Sequence, residues 1–281
     1  MIRNILKPGM AAAALIMSAV QVSAAGFGDC ALTGTTGSVK IPTVTEGTLT
    51  VAAILPSPDS FRGDSPETID GGFEYCVAAN IAHRAGLNSV VVKNVPWPAL
   101  IAGQLDGFDV ALSNIFITDE RKKNVDFTIP YFHATSGVMV RTEDQSSISP
   151  ETIGSKRIGV FLASVQDKYV SEVLKPTGEV RRFESAPDMF TALRANQIDV
   201  VIFDLSLVLP AAHSSEGALK VIAQYNVGGD VGGVLPKGSA AKEGLDAALD
   251  NIMKDGTLDA LVATWYSPLW GVDPKTIPAW K

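Results

Sequence analysis

The sequence is short of the residues that carry most enzyme chemistry. Its 281 residues include three histidines, His83, His133 and His213, and two cysteines, Cys30 and Cys76. The histidines stand far apart and none lies near a cysteine or a pair of acids, so no metal-ligand spacing exists. There is no Gly-x-Ser-x-Gly elbow, no P-loop and no Gly-x-Gly-x-x-Gly turn. Triads also assemble from distant residues, so hydrolysis is disfavoured rather than excluded. No metal, cofactor or catalytic residue is expected on these grounds. Basic residues are also in deficit. Lys and Arg number 23 against 30 Asp and Glu, a formal net charge of −7. A nucleic-acid partner needs a concentrated basic face to displace phosphate counterions, so that partner is excluded, and so is an anionic membrane surface. Beyond residue 25 no apolar run approaches the roughly 20 residues that span a bilayer as a helix.

The N-terminus is different. Residues 1–25 carry Arg3 and Lys7, no acid, and an apolar run over 10–22 that ends in Val22-Ser23-Ala24-Ala25. A basic start, a short apolar stretch and small residues at its end form a secretory signal peptide, too short for a membrane anchor. Cleavage after Ala24 or Ala25 takes both basic residues and brings the net charge to −9. Cys30 follows Phe27-Gly28-Asp29 rather than the end of the apolar run, which disfavours a lipid anchor. Export sends the chain to the periplasm, where thiols oxidise, and a Cys30–Cys76 disulfide is expected, with two free thiols as the alternative.

The hydrophobic pattern is that of an α/β protein. Short β-branched runs at 49–54, 90–93, 110–113, 157–161, 180–183, 200–203 and 219–223 alternate with amphipathic stretches. Helices are expected at 73–85, where Phe73, Val77 and Ile81 repeat every four residues, from Ser185 to about 195, at 242–254 and at 256–265. Ser185-Ala186-Pro187-Asp188 sets an N-cap serine before a first-turn proline and an acid. Strand-like segments at 136–140 and 231–235 flank the middle third, and Gly228-Gly229 precedes the second. As crossings they define an N-terminal arm (26–45), lobe one (46–138 plus 231–270), lobe two (139–230) and a tail (271–281). Two linkers around a cleft allow hinge closure on a ligand.

Several motifs fall in a fixed order: Gly47-Thr48-Leu49-Thr50-Val51, Gly72-Phe73-Glu74, Trp97 to Asp109, Thr118-Asp119-Glu120-Arg121, Asp126 to Tyr131, Arg157-Ile158-Gly159-Val160 and Asp255-Gly256-Thr257-Leu258. Through these the chain resembles the family 3 solute-binding proteins, the periplasmic amino-acid-binding components of ABC importers, over residues 46–266. The resemblance implies a two-lobed, type II-like periplasmic binding protein fold of the Venus-flytrap kind. It implies that Arg121 binds a ligand α-carboxylate, a task suited to a forked guanidinium. Asp204, at the end of the 200–203 strand, is implied to receive the α-ammonium; a helix N-cap is its alternative role, and a surface ion pair with Asp119 or Glu120 is that of Arg121.

Asn114 and Ser164 occupy further contact positions, but the chain departs from the family pattern at others. Phe116 stands where a Ser or Thr is usual, Val165 where a Thr is usual, Ile54 where an acid is common, and Cys76 replaces the second acid of the first-helix signature. Together with Phe61 and Trp97, Ile54, Phe116 and Val165 are expected to make the side-chain end of the cleft apolar. That favours an uncharged ligand side chain, because a buried charge there lacks a visible partner.

The resemblance thus implies a monomeric binding protein that closes on an amino acid or related small carboxylate and docks on an inner-membrane ABC permease. Two alternatives share the fold. One is a secreted prephenate or arogenate dehydratase using a cleft acid such as Glu74, Asp167 or Asp204. The other is a periplasmic sensor that presents its closed form to a signalling protein.

Overall fold

The computed structural model describes residues 26–281; the leader expected at 1–25 lies outside the described residues. Two sheets organise the chain. The first runs β2 (Ser89–Asn94), β1 (Thr48–Ala53), β3 (Val110–Ala111), β10 (Val234–Leu235), β4 (Asp126–Phe127). β1 pairs in parallel with β2 and β3, and β10 is antiparallel to both its neighbours. From Leu49 to Ala53 β1 is buried at every residue, as a central strand covered on both faces must be. One cover consists of α1 (Phe73–Arg84), α6 (Lys242–Lys254) and α7 (Thr257–Leu261), the last continued by a wider π-type turn over Val262–Tyr266. On the other face lie α2 (Trp97–Ile101) and the Phe108, Ile115 and Val125 side chains.

The second sheet runs β11 (Ala279–Trp280), β9 (Leu219–Val231), β5 (Phe132–Arg141), β8 (Val200–Asp204), β6 (Ile158–Phe161), β7 (Val180–Phe183). α4 (Ala186–Arg194) and α5 (Leu205–His213) cover one face, and α3 (Val165–Tyr169), extended by a π-type turn over Val170–Leu174, covers the other. Ser185 caps α4 as its sequence predicts, its hydroxyl accepting the Asp188 amide at 3.3 Å. Among the described residues no helix is long and apolar enough to cross a membrane.

The two sheets are the two lobes, and two strands join them. β5 and β9 pair antiparallel from Phe132↔Val231 to Arg141↔Leu219, with register shifts on the way. The expected segment 136–140 lies inside this ladder and also pairs with β8, whereas Phe132, Ala134 and Val231 pack with the lobe-one core, so the chain passes between the lobes within β5 and β9 themselves. The strand expected at 219–223 extends to Val231 because β5 offers it a partner along its whole length. Gly228 adopts φ +141° where the ladder bends; a Cβ there would stand 2.4 Å from the Ala134 carbonyl oxygen.

Both ends of the described chain are built into the fold. The N-terminal arm packs on lobe one through Phe27, Ile41 and the Cys30–Cys76 disulfide, with Cys76 buried on α1. At the other end, the tail expected only to pack on the surface instead returns to lobe two. After α8 (Ser267–Trp270) the Gln224 side-chain amide donates to the Ile277 carbonyl at 2.8 Å, and β11 pairs in parallel with β9. Trp280 meets Tyr225 edge-on at 5.9 Å.

The disulfide closes a loop of 46 residues, for which chain-entropy arguments give about 4 kcal/mol. A Cys30→Ser/Cys76→Ser double variant is therefore expected to lose up to that amount in denaturant unfolding monitored by circular dichroism. Two alkylatable thiols in the unreduced wild-type protein would contradict the pairing.

Candidate functional site

A cavity of about 490 Å³ lies between the lobes, at the carboxyl ends of β1, β3, β6 and β8, where open α/β sheets place their crevices. Its lining includes Ile54, Trp97, Asn114, Phe116, Arg121, Ser164, Val165 and Asp204. Of the residues expected at the site, Phe61 is placed elsewhere. It is fully buried in the lobe-one core that α1 covers, because the loop carrying it turns inward under Gly72.

Arg121 opens the short turn that follows Thr118, whose hydroxyl accepts the Arg121 amide at 3.2 Å. The guanidinium donates to the Phe116 carbonyl at 2.8 Å and lies 4.9 Å from the centre of the Trp97 ring. Its residue is only 7% exposed, and burial lowers its pKa to about 10, against the pull of Asp204 and Glu120. The surface ion pair considered for it does not form: Asp119 pairs with Lys122 and Glu120 with Lys168. A cation is thus held under the cleft surface with no carboxylate in salt-bridge range among the described residues.

Asp204 faces it from the other lobe. It ends β8 and precedes α5, but its side chain makes no capping bond; it accepts from the Gln166 amide at 2.7 Å. Burial raises its pKa to about 7, partly countered by the hydrogen bonds of Gln166 and Asn114 and by the Arg121 charge. Gln166 also donates to the Ser136 hydroxyl, which donates to the Val227 carbonyl, so Asp204 is tied to both crossing strands.

Asn114 adopts a left-handed φ of +51°, a conformation that asparagine tolerates better than most residues. Its amide N–H donates to Glu74 Oε1 at 2.8 Å, and its side chain reaches Ser206 in the opposite lobe at 3.3 Å. Ser164 lines the cavity while its hydroxyl caps α3 by accepting the Asp167 amide at 3.0 Å. Of the three acids considered for proton chemistry, Asp204 alone lines this cavity. Glu74 is buried behind it, bonded to Asn114 and Tyr131, and its pKa is pushed up by burial. Asp167 is paired with Arg182.

The structure adds residues that the sequence did not single out. Phe161 and Phe203 stack at 5.5 Å, and Trp97 meets Phe161 edge-on across the lobes at 6.2 Å. Their positions at strand carboxyl ends were the available signal. Asp59, on the loop after β1, lines the cavity without an ion-pair partner among the described residues, and burial raises its pKa to about 6. No local motif marks it. Among the described residues no group of His, Cys, Asp or Glu is placed to hold a metal ion.

The sequence model of the bacterial extracellular solute-binding proteins, family 3, matches residues 51–268. The chain is 28% identical over 213 residues to the L-cystine-binding protein TcyJ of Escherichia coli (strain K12), covering 74% of this chain and 78% of that protein. In structure it is similar to an ancestral arginine-binding protein bound to arginine, with a TM-score of 0.69 and 29% identity, covering 79% of this chain and 99% of that one. It is also similar to an ancestral amino-acid-binding protein described as a precursor of cyclohexadienyl dehydratase. That likeness has a TM-score of 0.69 and 26% identity, over 79% of this chain and 96% of the other.

Asp204 predicts a pH dependence of the unliganded protein. Its folded pKa, about 7, lies above the ordinary aspartate value, so the folded state holds an extra proton between about pH 4 and pH 7. The associated stability is complete below about pH 4 and lost as pH rises through about 7. Asp59 and Glu74 act with the same sign. Relative to wild type, Asp204→Asn is expected to flatten the decline in unfolding free energy over that range by on the order of 4 kcal/mol. Parallel stability–pH curves for the two proteins would refute the buried, protonatable carboxyl.

Proposed function

Because the chain belongs to the bacterial extracellular solute-binding proteins, family 3, we propose that it is a periplasmic binding protein for an amino acid or related small carboxylate, which it delivers to an inner-membrane ABC permease. One observation carries this reading. A buried guanidinium from lobe one and a buried carboxyl from lobe two face the same cavity without forming an ion pair with each other. A zwitterion with its carboxylate on Arg121 and its ammonium on Asp204 satisfies both charges at once, and lobe closure is what brings them within reach of it. Asn114, Ser164 and Gln166 add polar contacts around that head group. Ile54, Trp97, Phe116 and Val165 turn mainly apolar surface to the rest of the ligand, which favours an uncharged side chain. The named relatives bind cystine and arginine, so the amino-acid head is the common element. The leader at residues 1–25 supports export to the periplasm.

A second reading is supported by the cyclohexadienyl dehydratase precursor among the similar structures and by Asp204, a cavity carboxyl that titrates near neutrality. In that reading Asp204 protonates the departing hydroxyl, which leaves as water while the ring carboxylate leaves as CO2 and its C–C bonding pair completes the aromatic ring. Phenylpyruvate formed from prephenate, and lost in Asp204→Asn, would establish it.

A thermal-shift screen of amino acids finds the ligand, since ligand at about 100 times its dissociation constant stabilises by roughly 2.7 kcal/mol. Calorimetry then tests the roles. Arg121→Ala is expected to lose about 2–5 kcal/mol of binding, and near wild-type affinity would reject its role. At pH 6, amine-bearing ligands are expected to release a proton from Asp204, seen as a dependence of the binding heat on buffer ionisation enthalpy. Asp204→Asn removes that dependence if the carboxyl receives the ammonium.

A further inference from the structure

The cavity is larger than the head-group site and extends away from it. Its volume, about 490 Å³, is some three times that of an apolar void of ~150 Å³ that holds benzene, and falls in the range of about 300–1,000 Å³ typical of drug-sized ligands. Beyond Phe203 it continues between α4 and α5. Phe190 stands on the α4 side; Leu207, Pro210 and Ala211, spaced by three and four residues, form one stripe of α5 that faces the cavity. Arg194 and His213 stand exposed at the far rim. The stretch between the head-group charges and the solvent is thus mainly apolar, with Glu184, Ser185 and Thr191 on its α4 side.

One wall of that stretch lies outside the family match, which ends at residue 268, while Leu269 lines the cavity. Leu269 is carried by α8, which packs on α5. The chain then passes directly over the end of α5: Gly271 adopts φ +67°, and a Cβ there would stand 2.2 Å from the His213 ring. The segment is anchored on both sides, by Trp270 stacked on Tyr266 at 5.6 Å and by the pairing of β11 with β9.

We infer that this C-terminal segment, with α4 and α5, builds a distal compartment of the cleft that takes an extended apolar ligand side chain, long unbranched or aromatic. The inference rests on the reading of Arg121 and Asp204 as head-group anchors. A guanidinium or ammonium placed partway along would lose its hydration against Leu207, Pro210 and Leu269. Asp59 on lobe one and Glu184 just before α4 are the lining carboxylates that such a cation would have to reach, and they offer the competing outcome.

Calorimetry on the leader-free chain with a homologous series tests the compartment: 2-aminobutyrate, norvaline, norleucine and 2-aminooctanoate, with lysine and arginine as cationic controls. Each added methylene is expected to tighten binding roughly fourfold, from about 0.8 kcal/mol per buried CH₂. Leu269→Ala, at a half-exposed position, and Ala211→Phe, checked for folding by thermal melt, are both expected to collapse the affinity ratio of 2-aminooctanoate to 2-aminobutyrate at least tenfold. Lysine tighter than norleucine, with that advantage lost in Asp59→Asn or Glu184→Gln, would overturn the apolar assignment. A flat series in which 2-aminobutyrate still binds would overturn the compartment and leave the head-group reading standing, whereas no binding by any member would overturn both.

Discussion

Two buried opposite charges that do not touch each other set the terms for this molecule. Burial penalises both the Arg121 guanidinium and the Asp204 carboxyl, and the fold gives neither the other as a partner. A direct ion pair across the lobes would relieve that penalty and fill the site. The separation is maintained because each group is held from behind: Arg121 by the Phe116 carbonyl and the Trp97 ring, Asp204 by Gln166. Burial lowers the Arg121 pKa to about 10, which leaves the guanidinium charged, and raises that of Asp204 to about 7, which lets the carboxyl take up a proton near neutrality. A dipolar solute is the species that relieves both at once.

The polar groups behind the site connect it to the crossing strands. Asp204, Gln166, Ser136 and the Val227 carbonyl form one chain of hydrogen bonds, and it ends one residue before Gly228, where the ladder bends. Glu74, Asn114 and Ser206 form a second chain, from the buried start of α1 across the cleft to α5. The first of these chains ties the Asp204 carboxyl to both strands that join the lobes. At the mouth, Lys168 and Glu120 add an exposed pair at 2.6 Å, screened by water and salt and worth little in stability.

Much of the layout was legible in the sequence because it follows from local rules. β-branched runs located β1, β2, β6, β7 and β8, the Ser185 cap placed α4, and the 3.6-residue period placed α1 and α6. The ordered motifs led to Arg121, Asp204 and Asn114, and the structure brings all three to one cavity. What escaped was set by tertiary pairing. Phe61 shares the composition of a cleft residue, and only the turn beneath Gly72 sends it into the core. The segment 136–140 reads as a strand whether its neighbours are a hinge or a sheet, and β8 decides which. Asp59 sits in a loop without periodicity, and the final residues form a strand only because β9 has an open edge.

That added strand changes the mechanics of the pair of lobes. Two adjacent crossings, paired along β5 and β9, form a ribbon about which lobes can both bend and twist. The path from α7 through α8 to β11 is a third connection between the same two bodies, and it ends by pairing with β9 at Gln224 and Tyr225, so it is fastened to the open edge of that ribbon. A connection fastened to one edge of the ribbon opposes twist of one lobe on the other, and residues 271–278 are the slack it has to give.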